Sequence, residues 1–282
     1  DYFRAMTWNS GKPNGYEHHV GFRPDFFWAQ QYNGAGVHYW VDSVRGAASG
    51  LSSGNTNAAS GSLTEGYFSG YNGYNGFEDF TDNGFMVNHH AGGGEINNTT
   101  NDSRKYVGFL IRAGGKPSAD GKAKIDGVEQ DCSDLMTEDL TLQPIKLSAG
   151  TKSGFSIVRF TSSGGKIPHG LGKAPNVIIF KGITSGGGWW MYHSSVNDPA
   201  NNGMPFHDTS ASLGAGGNFG GIADELGFYL GPSQSVVPGN QDTIAYCWAS
   251  IPGFSSFGRY DANNSNDGPF INCGFRPKFV YI

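Results

Sequence analysis

Short runs in which apolar and polar residues alternate recur along the whole chain, with turn-forming clusters between them. Examples are "FRAMTW" at 3–8, "VHYWVDS" at 37–43, "YVGFLI" at 106–111, "FSIVRF" at 155–160 and "NVIIFK" at 176–181. A period of two puts successive side chains on opposite faces of a strand. The intervening "NG", "GGG", "NDG" and "PGN" turn a chain without helix. Five or six such runs fall in each stretch of about 100 residues, the spacing of a β-sandwich or jelly roll. The pattern predicts an all-β protein built from lectin-like sandwich units.

One element of the pattern is written more than once. "GFRPDFFWAQ" opens at Gly21, "GFRPKFVYI" opens at Gly274, and "GLGKAPNVIIFK" places Pro175 before another apolar run, with Gly172 spaced as Gly21 is. Glycine permits a tight turn, and proline favours extended geometry at a strand's first residues. Shifting the first copy by 151 residues sets Tyr39 on Trp190 and Val41 on Tyr192. Farther on, "NGFMV" at 83–87 matches "LGFYL" at 226–230, and Gly108, Phe109 and Ile111 fall on Ala245, Tyr246 and Trp248. Repetition at this length means tandem domains or interlocked sheets. The expected division is a sandwich unit over 1–115, a linker with a possible small hairpin over 116–153, a second unit over 154–253, and the start of a truncated third over 254–282. The hairpin is expected to turn at Asp126-Gly127.

Composition narrows the function. Glycine supplies 45 of 282 residues, charged residues only 15%, and aromatics 14%. A disordered chain would lack the aromatics. The net charge of −5 gives no reason to expect nucleic acid, which selects a basic face. No apolar run approaches the roughly 20 residues of a membrane helix. The three cysteines, Cys132, Cys247 and Cys273, have no CxxC spacing, so neither a disulfide framework nor a zinc site is written. Cys247 and Cys273 occupy positions where the other copies carry Leu110 and Val20, as small buried hydrophobes do. The start at Asp1 and the end within a strand-like run suggest a piece of a longer polypeptide.

Together "GFRPDFFW", "DSVRGA", "YVGFLIRAGGKPSAD", "SGFSIVRFTSSGG" and "DGPFINCGFRPKFVYI" resemble a repeat domain of tail-fibre and virion-surface proteins of marine bacteriophages, cyanophages above all. The resemblance implies a β-rich, virion-associated, oligomeric structural or adhesion protein. It brings no catalytic residues and no cofactor. "GYNGYNG" at 70–76 has no clear counterpart in the second unit.

Candidate chemistry is sparse. His18-His19 and His89-His90 invite a metal, but neighbours on a strand point to opposite faces, and ordinary loop histidines are the expectation. "DANNSNDG" at 261–268 lacks the spacing and distal Glu of a calcium loop. Glu65, Glu78, Asp79, Glu95, Asp224 and Glu225 are available for glycoside cleavage, yet they lie in or beside loops, where polar turns are expected. No Gly-x-Ser-x-Gly elbow or phosphate-binding loop is present. "GYFSGYNGYNG" at 66–76 stands out, because Tyr among Gly and Asn is the mixture of adaptable recognition loops. Tyr67, Tyr71 and Tyr74 are the candidate receptor or glycan contacts, and packing within an oligomer is the competing account. Trp189 and Trp190 read as core positions.

The expectation is a non-enzymatic virion component, tail-fibre-like or on the particle surface and therefore extracellular. Its partners would be copies of itself, a trimer by analogy with fibres, other virion proteins and a host-surface glycan or receptor. The alternatives are a carbohydrate-binding or cell-surface adhesin module and, less favoured, a polysaccharide depolymerase.

Overall fold

The computed structural model describes residues 1–34, 38–46, 51–52, 76–88, 96–97, 103–183, 188–206, 219–231 and 239–282. The protein is all-β and of β-sandwich type, and the described residues form four sheets. In the first half β1 (Phe3–Asn9), β3 (Phe26–Gln31), β4 (His38–Asp42), β5 (Leu51–Ser52) and β8 (Lys105–Ile111) form a sheet of order β1-β8-β3-β4-β5. A second sheet of order β2-β7-β6 joins β2 (Tyr16–His19), β6 (Phe77–Thr81) and β7 (Gly84–Val87). Trp8, Phe27, Tyr39, Tyr106 and Leu110 from the larger sheet meet Phe77, Phe80, Phe85 and Val87 from the smaller one in a common core.

The second half contains β9 (Lys122–Ile125), β10 (Val128–Asp131), β11 (Lys146–Gly150), β12 (Phe155–Thr161), β13 (Gly165–Pro168), β14 (Val177–Gly182), β15 (Trp190–His193), β16 (Met204–Pro205), β17 (Gly227–Leu230) and β18 (Asp242–Trp248). Its large sheet runs β10-β9-β11-β12-β18-β14-β15-β16, and β13 pairs with β17 across a core that includes Val158, Phe180, Phe228 and Leu230. The strand orders of the halves correspond: β1-β8-β3-β4-β5 matches β12-β18-β14-β15-β16, and β2-β7 matches β13-β17. Registers correspond too. Phe26 faces Ile111 as Val177 faces Trp248, and Ala29 faces Tyr39 as Phe180 faces Trp190.

Strand alternation sends every second side chain of each large sheet away from its own core. Phe27 and Ala29 enter the first core, while Phe26 and Trp28 face a third cluster shared with Phe155, Ile157, Ile179, Ile244 and Tyr246. The two large sheets therefore pack against each other through an aromatic seam. Trp40 lies 4.9 Å from Trp189 and 5.2 Å from Tyr246 between ring centroids, and Phe26 lies 5.5 Å from Phe155. Aromatic pairs at such spacings add about 0.5–1.5 kcal/mol each to their area burial.

The Gly-x-x-Pro turns have a shared construction. Gly21, Gly172 and Gly274 all adopt positive φ, at 94°, 63° and 75°, where a side chain is strained. The residue after proline then locks the strand entry. Asp25 N donates to Ile111 O, and Asp25 Oδ2 accepts from Ala113 N at 2.8 Å. Asn176 N donates to Trp248 O, and Asn176 Oδ1 accepts from Ser250 N at 2.8 Å.

Two segments differ from expectation. Residues 116–153 are not a bare linker. The hairpin β9–β10 does turn at Asp126 and Gly127, both with positive φ, but β9 runs parallel to β11 and β11 pairs with β12. Ala123, Leu147 and Ala149 thereby enter the second core. Residues 254–282 form no strand beyond a single bridge at Ser255. Phe279 instead rests on Phe3 and Phe109, and Tyr281 touches Trp28 in the first half and Phe206 in the second.

Candidate functional site

β1 and β2 are edge strands of the two sheets of the first sandwich. Between these edges lies an open pocket of about 360 Å³ lined by Thr7, Trp8, Asn9, Lys12, Tyr16 and His18. The alternation of β2 builds one wall: Tyr16 and His18 share a face, with rings 4.9 Å apart, while Glu17 turns to Thr81 and His19 is exposed. His18 is 6% exposed, stacked on Phe85 at 4.8 Å and 5.6 Å from Trp8. Its Nε2 has no hydrogen-bond partner among the described residues. Burial, assisted by the nearby Lys12 charge, lowers its pKa to about 4, so the imidazole is neutral at pH 7.

The loop carrying Lys12 is anchored by the side-chain amides of Asn97 and Asn88. Asn97, fully buried, accepts from Lys12 N at 2.8 Å and donates from Nδ2 to Lys12 O at 2.9 Å. Asn88 Oδ1 accepts from Gly15 N at 3.1 Å, and Trp8 Nε1 donates to Ile96 O at 3.2 Å. The Lys12 ammonium stands 5.2 Å from the centroid of the Tyr16 ring, which is 39% exposed. The site combines a cation on an anchored backbone, a partly exposed aromatic ring, a neutral imidazole and the polar side chains of Thr7 and Asn9. It can bind and orient a small polar ligand.

In the second half the corresponding side is closed. β11 occupies the edge of β12, and the would-be side chain of Gly170 meets Ala149, Leu147 and Ile125 within 3.2 Å.

The other candidates fall as follows. Tyr67, Tyr71 and Tyr74 lie outside the described residues, as do His89, His90, Glu65 and Glu95. His18 and His19 take opposite faces, and no group of three or more potential ligand residues is found among the described residues. Asp224 accepts from Lys166 Nζ at 2.5 Å and from the N–H groups of Leu226 and Gly227, a turn clamp before β17. Glu78 and Asp79, expected in a turn, lie within β6. Burial pushes the Cys132 thiol up to about 11 and the Cys247 thiol up to about 12, which suppresses the thiolate. Trp189 is buried in the seam, and Trp190 packs on the second core. No described helix is long and apolar enough to cross a membrane.

None of the pocket residues except His18 stands out in the sequence. "NSGKPNGYEH" offers only a turn signal, and Asn97 closes the loop from 85 residues away.

Fold and site together define an all-β protein of β-sandwich type, with an open polar and aromatic pocket between the edges of two of its sheets. The chain belongs to the family described as a domain of unknown function (DUF7483), which matches residues 1–133 and 139–282. No curated protein and no solved structure matches it.

Proposed function

We propose that the chain is a non-enzymatic surface component of a bacteriophage particle, tail-fibre-like, in which two copies of one sandwich unit form a stiff body that presents loops and a pocket to the host. The observation that carries this reading is the aromatic seam. Trp40, Phe26, Phe155 and Tyr246 bury the outer faces of both large sheets against each other, so the halves move as one piece. A spacer that transmits force between particle and host needs that stiffness. The likeness of "GFRPDFFW" and its companion motifs to virion-surface repeats supplies the context. Self-association into a trimer, contact with other virion proteins and an extracellular location follow from the same reading. A carbohydrate-binding module of a cell-surface protein is the second reading, favoured by the Lys12–Tyr16 pocket.

Electron microscopy of the source material labelled with antibody against this chain separates the two. Label on tail appendages or the particle surface is the expected result. Label on cells devoid of particles would overturn the virion reading and favour the module.

A further inference from the structure

The geometry points to the pocket between β1 and β2 as a binding site for a hexose ring bearing a negatively charged substituent, carboxylate or sulfate. The inference deepens the host-adhesion reading above and rests on it for the biological source of the sugar.

Five features carry it. The volume, about 360 Å³, is near the lower end of ligand pockets, which span about 300–1,000 Å³, and suits one or two sugar rings. The exposed Tyr16 face offers an apolar platform for sugar C–H groups. The Lys12 ammonium lies over the Tyr16 ring, on a backbone that the buried Asn97 clamps, so an anion can meet it without ordering that loop. His18, 6% exposed and with Nε2 lacking a partner, supplies a neutral polar atom at the pocket wall. Thr7 and Asn9 add hydroxyl and amide groups suited to sugar hydroxyls. A neutral sugar would leave the ammonium unanswered, so the site discriminates by charge. The corresponding side of the second half is closed, so among the described residues the site is not repeated there.

The test is titration calorimetry of the intact chain with three oligosaccharides of equal length: a hexuronate, a sulfated hexose and an uncharged hexose. Tyr16→Ala and Lys12→Gln follow, with thermal unfolding as a control for folding. The expected result is binding of at least one acidic oligomer. Tyr16→Ala should weaken it by about tenfold or more, and Lys12→Gln should bring it down to the level of the uncharged oligomer. The acidic oligomer that survives this comparison identifies the substituent. Acidic-sugar binding unchanged in both variants would overturn the site while leaving adhesion intact. Equal binding of all three oligomers would overturn the charge selection. Absence of binding to any oligomer would overturn the inference, and the labelling experiment above would still decide the virion reading independently.

Discussion

Asp25 and Asn176 hold equivalent places after the proline of each strand entry, and their chemistry differs by one amide. Asn176 Nδ2 donates to Ser194 Oγ at 3.2 Å, completing its clamp. In the first half Asp25 Oδ1 and the nearby Ser43 Oγ are buried and, among the described residues, make no hydrogen bond of normal geometry, although the hydroxyl is close enough to favour the ionised carboxyl. Burial raises the Asp25 pKa, against the pull of Ser43, the Ala113 and Gly115 amides and Arg23. A carboxyl with a raised folded pKa is stabilising below its unfolded value, and that contribution is lost as pH rises through the folded value. Asp25→Asn should therefore raise stability at pH 7 by about 1 kcal/mol, or about 2–4 °C in Tm, with the gain shrinking toward pH 3. Parallel thermal melts across that range check it; an equal or lower Tm at pH 7 would refute the mimicry. Histidines act in the opposite sense. Burial lowers the pKa of His18 to about 4 and also depresses His38, His169 and His193. Their neutral forms are fully stabilising above about pH 6.5, and stability drains away as pH falls below that value. His18 alone accounts for about 3 kcal/mol by pH 4. Urea midpoints should drop between pH 7.5 and pH 5, and a flat profile would contradict this account.

At the scale of elements, glycine marks where strands come closest. Gly84 faces His19 across β2 and β7, and a side chain there would sit 1.9 Å from His18 O. Gly227, its counterpart facing Pro168, would meet Ile167 O at 2.6 Å. Gly84→Ala should push β2 aside, costing about 1–3 kcal/mol and opening the pocket between β1 and β2. Loss of stability with sugar binding retained would show that β2 tolerates the shift. The "NGFMV" and "LGFYL" pair already displayed these glycines in sequence, as period-two runs displayed most central strands. The strands β9 and β11 were harder to see. Ala123, Leu147 and Ala149 are small, without an aromatic among them, and polar neighbours dilute their alternation. "KFVYI" shows the reverse failure. It has the pattern of β3, but its rings pack on Trp28 and Phe109 and it pairs with no strand. The pocket was illegible for a related reason, since Lys12 and Tyr16 acquire meaning only through Asn88 and Asn97.

Across the whole molecule the seam is also tied by charge. Asp42 and Arg45 have fully buried side chains, with Arg45 Nε donating to Asp42 Oδ2 at 2.6 Å. The Tyr246 hydroxyl, from the other half, donates to the same Asp42 oxygen at 2.8 Å and accepts from Arg45 Nη2 at 2.9 Å. Asp42 Oδ1 meanwhile accepts from the N–H groups of Val44 and Arg45. Removing one partner from a buried ion pair strands the other charge, which typically costs about 3–5 kcal/mol. Asp42→Ala should fall in that range, because it takes the carboxylate away from a buried guanidinium that the Trp40 carbonyl and the Tyr246 hydroxyl do not neutralise. Tyr246→Phe leaves the Asp42–Arg45 pair intact and removes one hydroxyl, so its cost should be lower, about 1.5–3 kcal/mol, the net worth of a hydrogen bond to a charged group. The ordering distinguishes a seam held by the ion pair from one held by aromatic packing alone, in which both variants would cost little. Chemical denaturation supplies both numbers and a further reading. A seam that couples the halves makes the wild-type unfold in one transition, and Asp42→Ala should separate it into two as the shared layer loosens. Two transitions in the wild-type protein would mean that each sandwich unfolds alone, and the stiffness invoked for a force-bearing spacer would then have to come from neighbouring subunits.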